Sequence, residues 1–240
     1  MAKATGEKKP RGVSKRAFEN EKLRPTTQLE PVEAVAALKK FKAPKFDQTV
    51  EVCLSLGIDP KQADQAIRGS VALPKGIGAT KRVVAFCGPD AAKEALEAGA
   101  IKAGADELVA EIEKGWMDFD VAVASPDMMR VVSKLGRVLG PKGLMPSPKA
   151  GTVTPNVAQA VKEYSAGKVE YRNDKGGNVH AAIGKMSFPE SDLVENLKHF
   201  ISTIEKARPG STKGTYIRKI TISGSMSPGV QIKHEAAVVA

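Results

Sequence analysis

The residues of this chain that could do chemistry are few, and their spacing excludes most reactions. Three histidines, His180, His199 and His234, show no His-Glu-x-x-His spacing, and no Gly-x-Ser-x-Gly elbow occurs. Metal-assisted hydrolysis and Ser-His catalysis therefore lack their residues. Cys53 and Cys87 lie in apolar, strand-like runs without a partner at Cys-x-x-Cys spacing, so they read as reduced core thiols. The glycine-rich stretch from Lys134 to Pro146 is the best phosphate-cradle candidate, but it lacks the Gly-Lys-[Ser/Thr] end of a P-loop. Cys87-Gly88-Pro89 offers one glycine where a dinucleotide site needs three. The stretch reads as a structured surface loop with a basic rim. No catalytic residue, metal site or cofactor is expected.

The remaining chemistry is electrostatic. The 240 residues are 42% apolar and 27% charged, with 37 Lys+Arg against 27 Asp+Glu, a net charge of +10. The excess is localised. Residues 77–167 hold 11 basic and 11 acidic residues, the chain up to Gly76 holds 15 and 9, and the chain from Lys168 onward holds 11 and 7. Two basic flanks bracket a neutral insert, which points to a polyanion as partner. Aromatic residues are 5% and no aromatic-rich RNP pattern occurs, so base stacking on a sheet is disfavoured. Recognition of folded RNA through phosphate, 2′-OH and shape fits better. Two groups could supply it: Lys168, Arg172, Asn173 and Lys175 at a strand end, with His180 able to touch a phosphate, and the segment from Ser223 to Gly229. On composition alone the first could equally be a solvated hairpin tip and the second an ordinary loop.

Positioning these groups requires two kinds of architecture. The insert alternates strand and helix: a strand over 81–87, helices from Pro89 to Leu96 and from Asp106 to Lys114, a strand over 119–124, a helical pattern from Met128, and a helix from Pro155 to Tyr164. That is an α/β unit with a parallel sheet. The flanks read as α+β. A basic, disordered start over residues 1–30 is followed by a helix opened by Pro31 and a strand over 49–54. Beyond Lys168, strands over 168–172 and 178–183 with a turn at 173–177 read as a hairpin. Ser187-Phe188-Pro189-Glu190 has capping-box spacing ahead of a helix carrying Leu193, Leu197, Phe200 and Ile204, and a last strand covers 216–223.

Neither flank has strands enough for a sheet of its own, so the two are expected to fold together. The expected organisation is a discontinuous α+β domain over 31–76 and 168–240 with an α/β domain inserted at 77–167. Gly76, Gly78 and Gly167 at the junctions suit a pair of adjacent hinges. No uncharged apolar stretch approaches the ~18 residues of a membrane span, and the start lacks the apolar core of a secretory signal, so an intracellular, cytoplasmic location is expected.

Six segments carry a resemblance: residues 46–52, 56–61, 68–74, 115–120, 140–153 and 171–175. In this order they resemble the large-subunit ribosomal protein L-one family of bacteria, the proteins of the mobile stalk beside the tRNA exit site. The likeness runs from about Pro31 to Val230. It implies a split α+β domain with a Rossmann-like insert, binding to large-subunit rRNA on the ribosome, a part in moving and releasing exit-site tRNA, and repression of the protein's own mRNA. It implies a monomer when free. By position it places the RNA surface on Lys45, Phe46, Thr49 and Glu51, on Arg172 to Lys175 including Asp174, and on Ser225 and Met226. Phe46 would be a packing support, and Glu51 an acceptor for 2′-OH or base groups. The family usually has glycine where this chain has Ser227, a side chain where RNA would approach closely. The alternative from a different class is a nucleotide-dependent enzyme using the strand-to-helix turns of the insert.

Overall fold

The computed structural model describes residues 12–62, 64–212 and 214–234. Its largest sheet has four antiparallel strands in the order β7-β1-β8-β9, where β1 is Thr49–Leu56, β7 Asn178–Lys185, β8 Ile217–Gly224 and β9 Val230–Ile232. The strand from the N-terminal flank thus lies between two strands of the C-terminal flank. Along β1, Val50, Val52, Leu54 and Leu56 are buried and alternate with Thr49, Glu51, Cys53 and Ser55, which are not. This period of two turns one face inward. Helices α2 (Pro31–Lys39) and α8 (Glu190–Lys206) cover that face with Val35, Leu38, Leu193, Leu197, Phe200 and Ile204. The opposite face is left open.

The expected hairpin does not form as a ladder. Strand β6 (Val169–Arg172) pairs with β2 (Arg68–Val71) in a separate two-stranded sheet, β7 pairs with β1, and one bridge, Asn173 to Val179, joins β6's exit to β7. Asn173 sets this course: its side-chain oxygen accepts the Ile67 N–H at 2.9 Å while its own N–H donates to the Ile67 carbonyl at 3.0 Å. The capping box is also absent. Ser187 donates its hydroxyl to Asp47 at 2.7 Å, and α8 begins after Pro189 with no side-chain cap.

The N-terminal region is a further correction. Residues 1–11 lie outside the described residues, but Lys15–Lys22 form helix α1, with the Ser14 hydroxyl accepting the Ala17 N–H at 3.1 Å. Asn20 anchors it from full burial, accepting the Lys42 N–H at 2.8 Å and donating to the Lys42 carbonyl at 3.1 Å. Leu29 then bridges to Ile232 at the sheet edge. Disorder to residue 30 is therefore overturned over this stretch.

The insert holds a parallel sheet in the order β4-β3-β5, with β3 Val83–Phe86, β4 Lys102–Gly104 and β5 Val121–Ala124, extended by a parallel bridge from Ala124 to Val153. Strands β3 and β5 are buried throughout, as a sheet covered on both faces requires. Val83, Ala85, Val121 and Val123 pack against α3 (Pro89–Glu97) and α7 (Val157–Ser165). Val84, Phe86, Ala122 and Ala124 pack against α4 (Asp106–Glu113) and the short helices α5 (Met129–Val132) and α6 (Gly136–Leu139). This is a doubly wound unit. The main core draws on residues 34–77 and 169–232, whereas the two clusters of the insert lie within 83–164.

At the junctions, Gly76, Gly78 and Gly167 all have positive φ, at 63°, 69° and 102°. The two crossings lie side by side: a Cβ on Gly167 would stand 2.9 Å from the Ile77 side chain. Fully buried Asn196 ties the first crossing to the sheet, accepting the Lys75 N–H at 3.1 Å and donating to the Gly76 and Ile183 carbonyls at 2.9 and 2.8 Å.

Candidate nucleic-acid interface

The open face of the four-stranded sheet gathers most of the residues singled out from the sequence. Glu51 lies between Ala182 and Ser223, Cys53 between His180 and Thr221, and Ser55 between Asn178 and Lys219. The face is thus mostly polar, short side chains such as Ser223, Thr221 and Ser55 alternating with longer Glu51, His180 and Lys219. At one end the Lys185 ammonium donates to the Thr49 hydroxyl at 2.8 Å. The same end carries the β8–β9 connection: the Ser225 N–H donates to the Thr49 carbonyl at 3.0 Å, and the Ser225 hydroxyl accepts the Thr49 N–H at 3.2 Å. Phe46 and Met226, 53% and 56% exposed, flank this end. Two large apolar side chains in water beside exposed Lys45 suit a partner with apolar sugar and base surface as well as charge.

The other end, some six residues or about 20 Å away along β1, carries the turn that precedes β7. The Asp174 carboxylate accepts the Asn178 and Gly176 N–H groups at 2.7 and 2.8 Å. These bonds, the Asn178 amide side chain and nearby His180 hold its carboxyl below the usual aspartate range. Asp174 thereby shapes the turn, and exposed Arg172 and Lys175 beside it supply the charge. Asn173 is structural, as described above.

Lys168 stands apart from these groups. Only 17% exposed, its ammonium lies 2.7 Å from Glu163 and over the Tyr164 ring, so it is committed to the insert. Lys185, Lys219 and Thr221, which the sequence did not single out, lie on or beside the same open face. The alternation Lys219-Ile220-Thr221-Ile222-Ser223 was the available signal for the second and third.

The other chemical candidates disperse. His199 is exposed on α8, and His234 lies 3.4 Å from Glu205. His180 approaches Asp174 at 3.9 Å and the Cys53 sulfur at 4.0 Å, both through Nε2, so it cannot relay a proton between them. Burial and then Asp174 push the Cys53 thiol up, away from the thiolate. Cys87 is buried as expected, whereas Cys53 is half-buried on the open face and is not a core thiol. Lys134 to Pro146 folds into helical turns that bury Leu135 and Leu139 and expose Lys134, Arg137 and Lys142. At the first strand-to-helix turn, Pro89 occupies the opening of α3 and removes an N–H that a phosphate would use. Among the described residues no group of three or more His, Cys, Asp or Glu is placed to hold a metal ion, and no helix is long and apolar enough to cross a membrane.

Residues 38–228 match the model of the Ribosomal protein L1p/L10e family. The chain belongs to this family. It is a ribosomal protein with an rRNA-binding structural role in the large subunit, and its mixed α/β sheets are consistent with that fold. The family is one of structural proteins, and a nucleotide-dependent enzyme finds no support in it.

Proposed function

We propose that the open face of the four-stranded sheet, from Phe46 and Met226 at one end to Arg172 and Lys175 at the other, is the surface on which this family member holds large-subunit rRNA. Residues 31–76 and 168–240 act as one RNA-binding domain. Residues 77–167 form an inserted domain that moves about Gly76, Gly78 and Gly167. Thr49, Glu51, His180, Ser223 and Ser225 address the 2′-OH and base-edge side of the RNA, while Lys45, Arg172 and Lys175 address phosphate. Asp174 and Asn173 shape the turn that presents the last two. Lys168 braces the insert against the junction.

The observation that carries this reading is the open polar face itself. Two layers of helix could have covered both sides of the sheet, yet one side is left with mostly polar residues flanked by exposed Phe46 and Met226. On the ribosome, the moving insert and its attached stalk RNA assist the movement and release of exit-site tRNA. The same face, binding a similar fold in the protein's own mRNA, represses translation of its operon. The free protein is a cytoplasmic monomer.

The test is Met226→Asp. A carboxylate at an apolar, phosphate-facing position is expected to lower affinity for a stalk rRNA fragment by at least about 100-fold with an unchanged melting temperature. Unchanged affinity would remove this patch from the interface.

A further inference from the structure

The loop that carries Met226 hangs on one buried side chain. Gln48, 1% exposed, directly precedes β1. Its side-chain oxygen accepts the Met226 N–H at 2.9 Å and the Ser227 hydroxyl at 3.2 Å. A backbone N–H can only donate, so the group facing Met226 has to be an acceptor. The Gln48 carbonyl also accepts the Met186 N–H at 2.8 Å, so this one residue ties the entry of β1, the exit of β7 and the β8–β9 loop together.

Two further features show that the arrangement is close-fitting. A Cβ on Gly224 would meet the Gln48 side-chain oxygen at 3.1 Å and the Ser227 hydroxyl at 3.2 Å, so a side chain there fits only if this pair gives way by a few tenths of an ångström. Ser227 turns its hydroxyl inward to Gln48, which answers how a serine stands where the resemblance leads one to expect glycine. The Gln48 amide nitrogen is buried with no partner. Only the acceptor half of the side chain is in use, so a carboxylate could replace it.

We infer that Gln48 is a positioning residue for RNA recognition: through its side-chain oxygen it fixes Met226 and Ser227 at the sheet end in the arrangement that receives RNA, and it touches no RNA itself. This rests on the interface proposed above.

The test uses the full chain and a stalk rRNA fragment, reading affinity, melting temperature and exchange of the Met226 amide. Gln48→Leu keeps volume and removes the acceptor, Gln48→Glu keeps the acceptor, and Gly224→Ala presses on the pair from the strand side. Gln48→Leu and Gly224→Ala are expected to weaken binding at least about tenfold and speed Met226 exchange. Gln48→Glu is expected to stay within about threefold of the parent. The dependence of affinity on salt keeps its slope in all three, because no phosphate contact is lost.

Wild-type affinity in a folded Gln48→Leu protein, or Gln48→Glu as weak as Gln48→Leu, would overturn the inference. If Gln48→Leu does not fold, Gly224→Ala decides by the same readouts, with wild-type affinity counting against it. Failure of the interface itself has a different signature: Met226→Asp would then bind like the parent.

Discussion

Asp174 illustrates how little of the candidate interface is built from charge alone. Its carboxylate is occupied by the N–H groups of Gly176 and Asn178, and the donors that hold the turn also depress its pKa. A depressed carboxylate contributes fully above the ordinary aspartate value and loses that contribution as the pH falls through the lowered one. The Asp174→Ala protein should therefore melt below the parent at neutral pH, and the gap should close in acid as the parent's own Asp174 becomes protonated. A gap that persists unchanged in strong acid would assign it to packing. Thermal melts of the two proteins across an acid series check this. At the same scale, the thiol of Cys53 is held up by burial and by Asp174, so alkylation should be slow at neutral pH. Alkylation of Cys53 as fast as that of a free thiol would contradict the half-buried position found on the sheet.

At the scale of elements, the junction has the sharpest consequences. Gly167 combines φ 102° with a neighbour 2.9 Å from where a Cβ would stand, so Gly167→Ala should cost about 1–3 kcal/mol, read by denaturant unfolding. Asn196→Leu leaves the Lys75 N–H and the Gly76 and Ile183 carbonyls without their partner, a loss of about 1–3 kcal/mol for each group left dry. Elements with strong apolar periodicity were legible in the sequence: α2, α8, β1, β3 and β5 fall where their patterns place them. The pairing was not. Strand β2, Arg-Gly-Ser-Val, is short and polar, so nothing in its pattern announces that it takes β6 away from β7. Ser187 has the right spacing for a cap but finds Asp47, which is distant in sequence. Helix α1 was hidden by its charge, since its mooring is polar: the buried amide of Asn20 on the backbone of Lys42, with the Glu19–Lys42 ion pair beside it.

At the scale of the whole molecule, the charge partition and the core partition follow nearly the same boundaries, with Ile77 at the first crossing packed into the main core. The excess cations lie outside 77–167, and the main core draws on those same flanks, with β1 inserted between β7 and β8. Tolerance of the proposed RNA face to loss of the insert is expected from this, because that face uses no residue of the insert. The residues proposed to meet RNA were legible only through the family resemblance and the alternation on β1 and β8. Gln48 was not, because a buried amide leaves no mark in composition or period. The most direct test of the central claim is binding of a stalk rRNA fragment, across a salt series, to the intact chain and to one in which a short linker replaces residues 77–167. Affinity that falls steeply with salt in both proteins, with most of it kept in the shortened one, is the predicted result. A shortened chain that folds and melts cooperatively yet binds no RNA would contradict it.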